Sequence, residues 1–121
     1  MEYHLTINGK SYPARHTLRT SFLAAERRGG LEQLLRNKNQ AEFLADMAWL
    51  AAEQIKAAEK YRAILSGEEA QPTPDAEEIL DTMDYADLLK LQSEMLAVIN
   101  KEEPSVQAEA QGKNAEATSD N

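Results

Sequence analysis

The stretch from Asn39 to Leu65 constrains the fold most, because it contains neither proline nor glycine and is rich in strong helix formers. Mainly apolar residues recur along it at three- and four-residue steps, which places them on one face of a helix. The members of this face are Phe43 or Leu44, Met47, Ala48, Ala51, Ile55, Ala58, Arg62 and Leu65. The sequence therefore predicts one long helix, roughly 40 Å at about 1.5 Å per residue, on which the other elements dock.

Signals at both ends of this stretch support a helix over 39–66. Asn39 can cap the start, and Glu42 stands three residues later, where a capping box requires it. At the other end, Ser66-Gly67 supplies the glycine that commonly ends a helix.

Residues 3–14 have the pattern of a β-hairpin. Apolar and polar residues alternate before Asn8-Gly9, the preferred pair for a type I′ two-residue turn. Because a lone hairpin is marginal in water, its apolar face must pack on helices or on another sheet. In the predicted register that face carries Tyr3, Leu5, Tyr12 and Ala14.

Turn and cap signals place the remaining elements, including Gly29-Gly30 as a helix end and Asp75 with Glu78 as a capping box. We predict a mainly α member of the α+β class, with an N-terminal hairpin followed by four to five helices. The predicted helices cover 17–28, 31–36, 39–66, 75–82 and 84–101. The predicted core contains Leu5, Tyr12, Phe22, Leu44, Met47, Ala51, Ile55, Leu88, Leu91 and Met95.

The chain is long enough for one domain, which we place at 1–101, followed by a polar tail at 102–121. Val106 is the only large apolar residue of that tail. Because such a segment cannot bury enough surface to offset its ordering entropy, we predict that it is disordered.

Charge is unevenly placed along the chain, whose net charge is −8. Residues 1–38 contain seven Lys/Arg and three acidic residues, whereas 39–121 contain six and eighteen. A basic head and an acidic body can attract each other within one molecule or between copies, or can be two ordinary solvated surfaces. The negative net charge disfavours general nucleic-acid binding, and we expect no nucleic-acid partner.

Other absences in the sequence exclude classes of function. Without cysteine there are no disulfides, thiolate zinc sites or cysteine nucleophiles. No apolar run reaches the 18 residues that suggest a membrane span, and no secretory leader is recognisable, so we expect a cytosolic protein without a membrane partner.

No residues are arranged for catalysis, and we expect no enzyme, cofactor or metal. His4 and His16, the only histidines, are expected at the surface. The acidic pairs lie near predicted helix starts, where capping and dipole compensation explain them. No serine lies in a G-x-S-x-G setting.

Three residues are candidates for contact with a partner. Trp49, the only tryptophan, lies slightly off the main apolar face and is either a core-edge residue or an exposed anchor, since Trp and Arg are common hot-spot residues. Arg27 and Arg28 form either a patch for an acidic partner or a solvated helix end that complements the helix dipole.

The order of these elements resembles the tail assembly chaperones of long-tailed bacteriophages and prophages. The residues that carry the resemblance are the hairpin Leu5-Thr6-Ile7-Asn8-Gly9-Lys10-Ser11-Tyr12, the helix end Glu26-Arg27-Arg28-Gly29-Gly30, the segment Met47-Ala48-Trp49-Leu50-Ala51 and the Leu-rich helix Asp84–Ile99. It covers roughly residues 3–100.

This resemblance implies a non-enzymatic protein of the bacterial host cytoplasm that is absent from the mature virion. Such proteins bind the long helical tape measure protein, keep it soluble and recruit tail-tube protein. It also agrees with self-association, which the charge division suggests independently. The alternatives are a structural tail or connector component retained in the particle, or a small prophage regulatory or adaptor protein.

Overall fold

The computed structural model describes residues 3–36 and 38–102. An N-terminal two-stranded antiparallel hairpin precedes five helices, one of them long and central, which confirms the predicted fold class. The elements are β1 Tyr3–Ile7, β2 Lys10–Ala14, α1 Leu18–Arg28, α2 Leu31–Leu35, α3 Gln40–Ser66, α4 Ala76–Thr82 and α5 Tyr85–Glu102. The predicted disordered tail lies, from residue 103 onward, outside the described residues and stays a prediction.

The hairpin has the predicted register, with Leu5 opposite Tyr12. Asn8 and Gly9 both have positive φ, at 53° and 80°, as a type I′ turn requires. The apolar face of the hairpin packs on α3 and α5. Glu94 of α5 also covers the free edge of β1, because its carboxylate accepts the Thr6 N–H at 2.8 Å and the Thr6 hydroxyl at 3.0 Å.

Helix α1 occupies almost the predicted range, with Thr17 as its N-cap, but it turns a different face inward from the one expected. Thr20 and Ala24 are buried, whereas the exposed fraction of Phe22 is 55%. The prediction that Phe22 lies in the core is therefore wrong. Small inward residues let α1 approach α3 closely, and a Phe at that contact would hold the two helices apart.

Helix α3 is the predicted spine. The Asn39 side chain accepts the Glu42 N–H at 2.9 Å, as predicted. The predicted capping box is wrong in its second half, because the Glu42 carboxylate lies 4.0 Å from Arg28 and does not return to the Asn39 N–H. Burial extends well beyond one stripe, because other elements surround the first two thirds of the helix. Its buried residues are Asp46, Met47, Ala48, Leu50, Ala51, Ala52, Gln54, Ile55, Ala58 and Ala63.

The apolar face predicted for α3 ends earlier than expected. Leu65 is 68% exposed, although the periodicity places it on the buried face. No described element covers the last turn of the helix on that side, so spacing alone could not bury the residue.

Helices α4 and α5 begin as predicted. The Asp75–Glu78 capping box is complete, and the Asp84 carboxylate accepts the Asp87 N–H at 2.9 Å. Of the predicted core, Tyr12 and Leu44 are only partly buried. The apolar residues that are buried on α4 and α5 are Ile79, Leu88, Leu91, Met95, Val98 and Ile99.

Candidate functional site

A buried carboxylate organises the region where the predicted contact residues lie. The Asp46 side chain is fully buried, at 0% exposure. Arg27 Nε donates to Asp46 Oδ1 at 2.8 Å, and Arg28 Nε donates to Oδ2 at 2.8 Å. Lys38 Nζ lies 3.0 Å from Oδ2. We call Asp46, Arg27, Arg28 and Lys38 the Asp46 cluster.

Local structure brings the Asp46 cluster together from three parts of the chain, which are the end of α1, the connection before α3, and α3 itself. Gly29, with φ 88° in the left-handed region, ends α1 directly after its two arginines. The short helix α2 then returns the chain towards α3, and Lys38 Nζ donates to the last carbonyls of α2, at 2.6 Å for Leu34. Cations at both helix C-termini are favourable because they complement the helix dipoles.

The cluster holds Asp46 in its ionised form. Burial by itself acts to raise the pKa of Asp46, but hydrogen bonds from Arg28, Arg27 and Lys38 together outweigh it, and the pKa lies below its ordinary value. The hydrogen bond to Asp46 in turn raises the pKa of Arg28. A carboxylate held in this state accepts hydrogen bonds and does not donate a proton near neutral pH.

All three predicted contact residues belong to this region. Trp49 is partly buried against the core, and the guanidinium carbon of Arg27 lies 5.1 Å from the centre of its ring. The Arg27 and Arg28 side chains remain 33% and 30% exposed. Their described contacts hold α1 to α3 within one molecule, so a role in partner binding stays a prediction. The attraction between basic head and acidic body operates here inside the chain.

Sequence reasoning missed Asp46 itself. Its neighbours on the same face, Leu50 and Gln54, are also buried and also fell outside the predicted stripe. The available signal was an acidic residue directly before Met47, inside the most apolar part of a long helix. Such a residue needs cationic partners, and residues 27–38 contain four Lys or Arg side chains that could supply them.

A second buried polar group was also missed. His16 is 3% exposed, so the expectation of a surface histidine is wrong at this position, whereas His4 is exposed. The His16 Nε2 atom lies 2.8 Å from Ser21 Oγ, and Nδ1 lies 3.4 Å from Gln54 Nε2. The Gln54 backbone carbonyl also accepts the Arg15 N–H at 3.0 Å, which joins the exit of the hairpin to α3. Within residues 3–36 and 38–102 there is no cluster of potential metal ligands.

Apolar residues at the surface are a further feature. Tyr85, Leu89 and Leu96 of α5 are 53%, 48% and 37% exposed, and Gln92 completes their helical spacing. We call Tyr85, Leu89, Gln92 and Leu96 the α5 stripe. On α1, Leu18 and Phe22 are 89% and 55% exposed one turn apart. With Arg19 between them, they form what we call the α1 outer face.

An open apolar groove lies between the start of α3, α4 and the start of α5. Its volume is about 260 Å³. Residues 75–89, which supply two of its walls, contain six acidic residues and no basic residue. The residues that line this α4 groove are Gln40, Leu44, Ala48, Ile79, Leu80, Met83, Asp84, Tyr85 and Leu88.

Among the helices of the described part of the chain, none is both long and apolar enough to cross a membrane. No known protein family, curated protein or solved structure matches the chain.

Proposed function

We propose that this protein is a non-enzymatic tail assembly chaperone of a long-tailed phage or prophage. It binds the long helical tape measure protein, keeps it soluble and recruits tail-tube protein in the cytoplasm of the bacterial host. The proposal originates in the order of the elements along the chain, which resembles that family. The elements concerned are the N-terminal hairpin, the Ala-rich helix α3 with Trp49, and the Leu-rich helix α5.

The α5 stripe is the observation that carries the proposal. Its exposed residues follow a 3.6-residue period over Tyr85–Leu96, which is roughly 16 Å at about 1.5 Å per residue. The neighbouring side of α5, about a quarter turn around the helix, is occupied by the core through Leu91 and Met95. A helix with one stripe in the core and a second one exposed is suited to packing against another helix.

Coverage of apolar stripes is the physical mechanism that we propose. A long helical client that cannot bury its apolar stripes alone aggregates through them. Successive copies, each laying its α5 stripe along the client, remove this surface from water until tail-tube protein replaces it.

Trp49, Arg27 and Arg28 are a second proposed contact. About a third of each guanidinium side chain is still exposed, although its Nε is bonded to Asp46. The cluster contains three cations for one buried carboxylate, which favours an acidic segment of a partner at this position.

Co-expression with the long helical protein encoded downstream tests the proposal. We expect the client to become more soluble and to co-purify with several copies of this chain. A Leu89→Asp/Leu96→Asp variant should lose the client, because the charges cannot be buried against an apolar stripe. The matched control is Ala86→Asp/Ala97→Asp, which adds the same charges at exposed positions of α5 outside the stripe.

The main rival is a tail or connector component that stays in the particle. Mass spectrometry of purified particles separates the two functions, because a chaperone should be missing and a structural part present. If the client stays insoluble at low salt and the chain is found in particles, the chaperone proposal is wrong.

A further inference from the structure

We propose that the α4 groove receives the α1 outer face of a second copy, so that the chain associates head to tail. This inference deepens the self-association in the proposed function by assigning two unlike surfaces to it. It does not require the client.

The α1 outer face is an apolar and cationic surface that is left exposed by the described part of its own chain. Leu18 is 89% exposed, the most exposed large apolar residue described, and Phe22 lies one turn further on the same face. Arg19 is exposed and forms no hydrogen bond or ion pair with any described residue. Exposed Leu and Phe at this spacing are the i and i+4 anchors of a helix that docks in a groove.

The α4 groove has the complementary properties. Leu80 and Tyr85 are 42% and 53% exposed at its mouth, so its apolar lining is open to an incoming side chain. Glu77 and Asp81 flank Leu80 on α4, and neither forms an ion pair or hydrogen bond with a described residue. An acidic rim around an apolar floor favours an apolar helix that carries a cation.

One molecule cannot fill its own groove with its own α1. The inner face of α1 is fixed on α3, where Thr17 and Thr20 lie beside Lys56 and Tyr61. The groove lies at the other end of α3, at Gln40 and its neighbours. Residues 40 and 56 are separated by roughly 24 Å at about 1.5 Å per residue.

When two copies associate through these unlike surfaces, one copy still has a free α1 outer face and the other still has a free α4 groove. Such a heterologous interface continues to add copies until it closes a ring, or forms an open filament. The charge component should weaken at high salt, because exposed pairs are screened within about 10 Å at 0.1 M.

Sedimentation velocity of the full chain tests the inference. At low salt the average mass should rise with protein concentration. Leu18→Asp/Phe22→Asp, which blocks the α1 face, and Leu80→Asp, which blocks the groove, should each be monomeric. The Ala86→Asp/Ala97→Asp control should assemble like the natural chain.

Mixing the two blocked variants is the decisive measurement. Each retains the surface that the other has lost, so an equimolar mixture should give a one-to-one dimer and nothing larger. Arg19→Glu alone should weaken assembly at least about tenfold, and Asp81→Lys in the same chain should recover most of the loss.

The inference is overturned if the natural chain stays monomeric at low salt, or if the mixture gives no dimer. Circular dichroism must show natural helix content for each variant. Leu18→Ser replaces an α1 variant that does not fold, and Leu80→Ser replaces a groove variant that does not fold. If the client co-purifies with the chain but the natural chain alone stays monomeric, this inference is wrong and the proposed function stands. If the chain assembles but does not bind the client, the proposed function is wrong and this inference stands.

Discussion

The two ends of α3 each hold an arginine–carboxylate network, but only one network is buried. Near the start, Asp46 is fully buried and bound by cations from residues that precede the helix. Near the end, Glu59 and Arg62 are 17% and 42% exposed, and Arg62 reaches Glu68 in the connection that follows.

The chemistry of the two networks is similar. Arg62 Nη2 lies 2.6 Å from Glu59 Oε2, and the Gln71 N–H donates to the same oxygen at 2.7 Å. The bond from Arg62, followed by that from Gln71, lowers the pKa of Glu59 to about 2. Solvent screens this second network, however, whereas breaking the first leaves charges in a poorly hydrated place. Burial, and not the number of bonds, should therefore decide what each contributes.

The largest expected effect comes from the apolar packing around the buried end. Met47→Ala and Leu91→Ala remove side chains that are 0% exposed, and each should lower the free energy of unfolding by roughly 2–5 kcal/mol. Leu65→Ala, at the exposed end, should cost less than about 0.5 kcal/mol. Urea unfolding measures all three. Costs below that limit at both Met47 and Leu91 would place the buried face of α3 elsewhere.

The next effect concerns the two carboxylates directly. Asp46→Ala should cost about 2–4 kcal/mol, because three cations lose their shared acceptor in a buried position. Glu59→Ala should lower the free energy of unfolding much less, since Arg62 keeps its ion pair with Glu68 and its contact with water. The same urea measurement compares the pair. Equal costs would mean that burial does not separate the networks.

Acid should weaken both networks. The pKa of Glu59 is about 2 in the folded chain and near 4.5 ordinarily, so its contribution is present above 4.5 and is lost as pH falls towards 2. The lowered pKa of Asp46 has the same sign, a loss as pH falls below its ordinary value. Unfolding of Glu59→Gln across this range should show a shallower pH dependence than the natural chain. An unchanged dependence would contradict the assignment.

The smallest effect on stability is expected at Arg62. Arg62→Ala should change the free energy of unfolding only slightly, because the side chain is 42% exposed and solvent screens its ion pairs. Hydrogen exchange should nevertheless become faster at Gln71, whose N–H is held by the Glu59 carboxylate that Arg62 positions. Lys60→Ala, on the same helix, is the control. Faster exchange in both variants would show that the change is not specific to this network.

Local sequence signals predicted the structure correctly wherever a short segment forms its own backbone hydrogen bonds. The Asn8-Gly9 turn, the Asn39 cap and the Asp75–Glu78 box all formed as predicted. Each depends on residues within three or four positions, and the left-handed or extended backbone that they need follows from the residue type.

Signals that depend on a distant partner were less reliable. The spacing of apolar residues in α1 could not show whether Phe22 or the smaller Thr20 faces inward, because this depends on how closely α3 packs against α1. His16 and Asp46 gave no periodic signal at all. Only the folded structure shows that they are buried polar groups, because it places Gln54 beside His16 and the arginines of α1 beside Asp46.

The functional surfaces divide in the same way. The amino-acid sequence by itself determined the element order, the helix caps and the separation of a basic head from an acidic body, since these follow from local backbone preference and charge. Only the tertiary structure decided that Arg27 and Arg28 bind Asp46 and that Leu18, Leu80 and the α5 stripe are left outside. Which side chains are exposed depends on which surfaces the packed helices cover first, and that is a property of the whole fold.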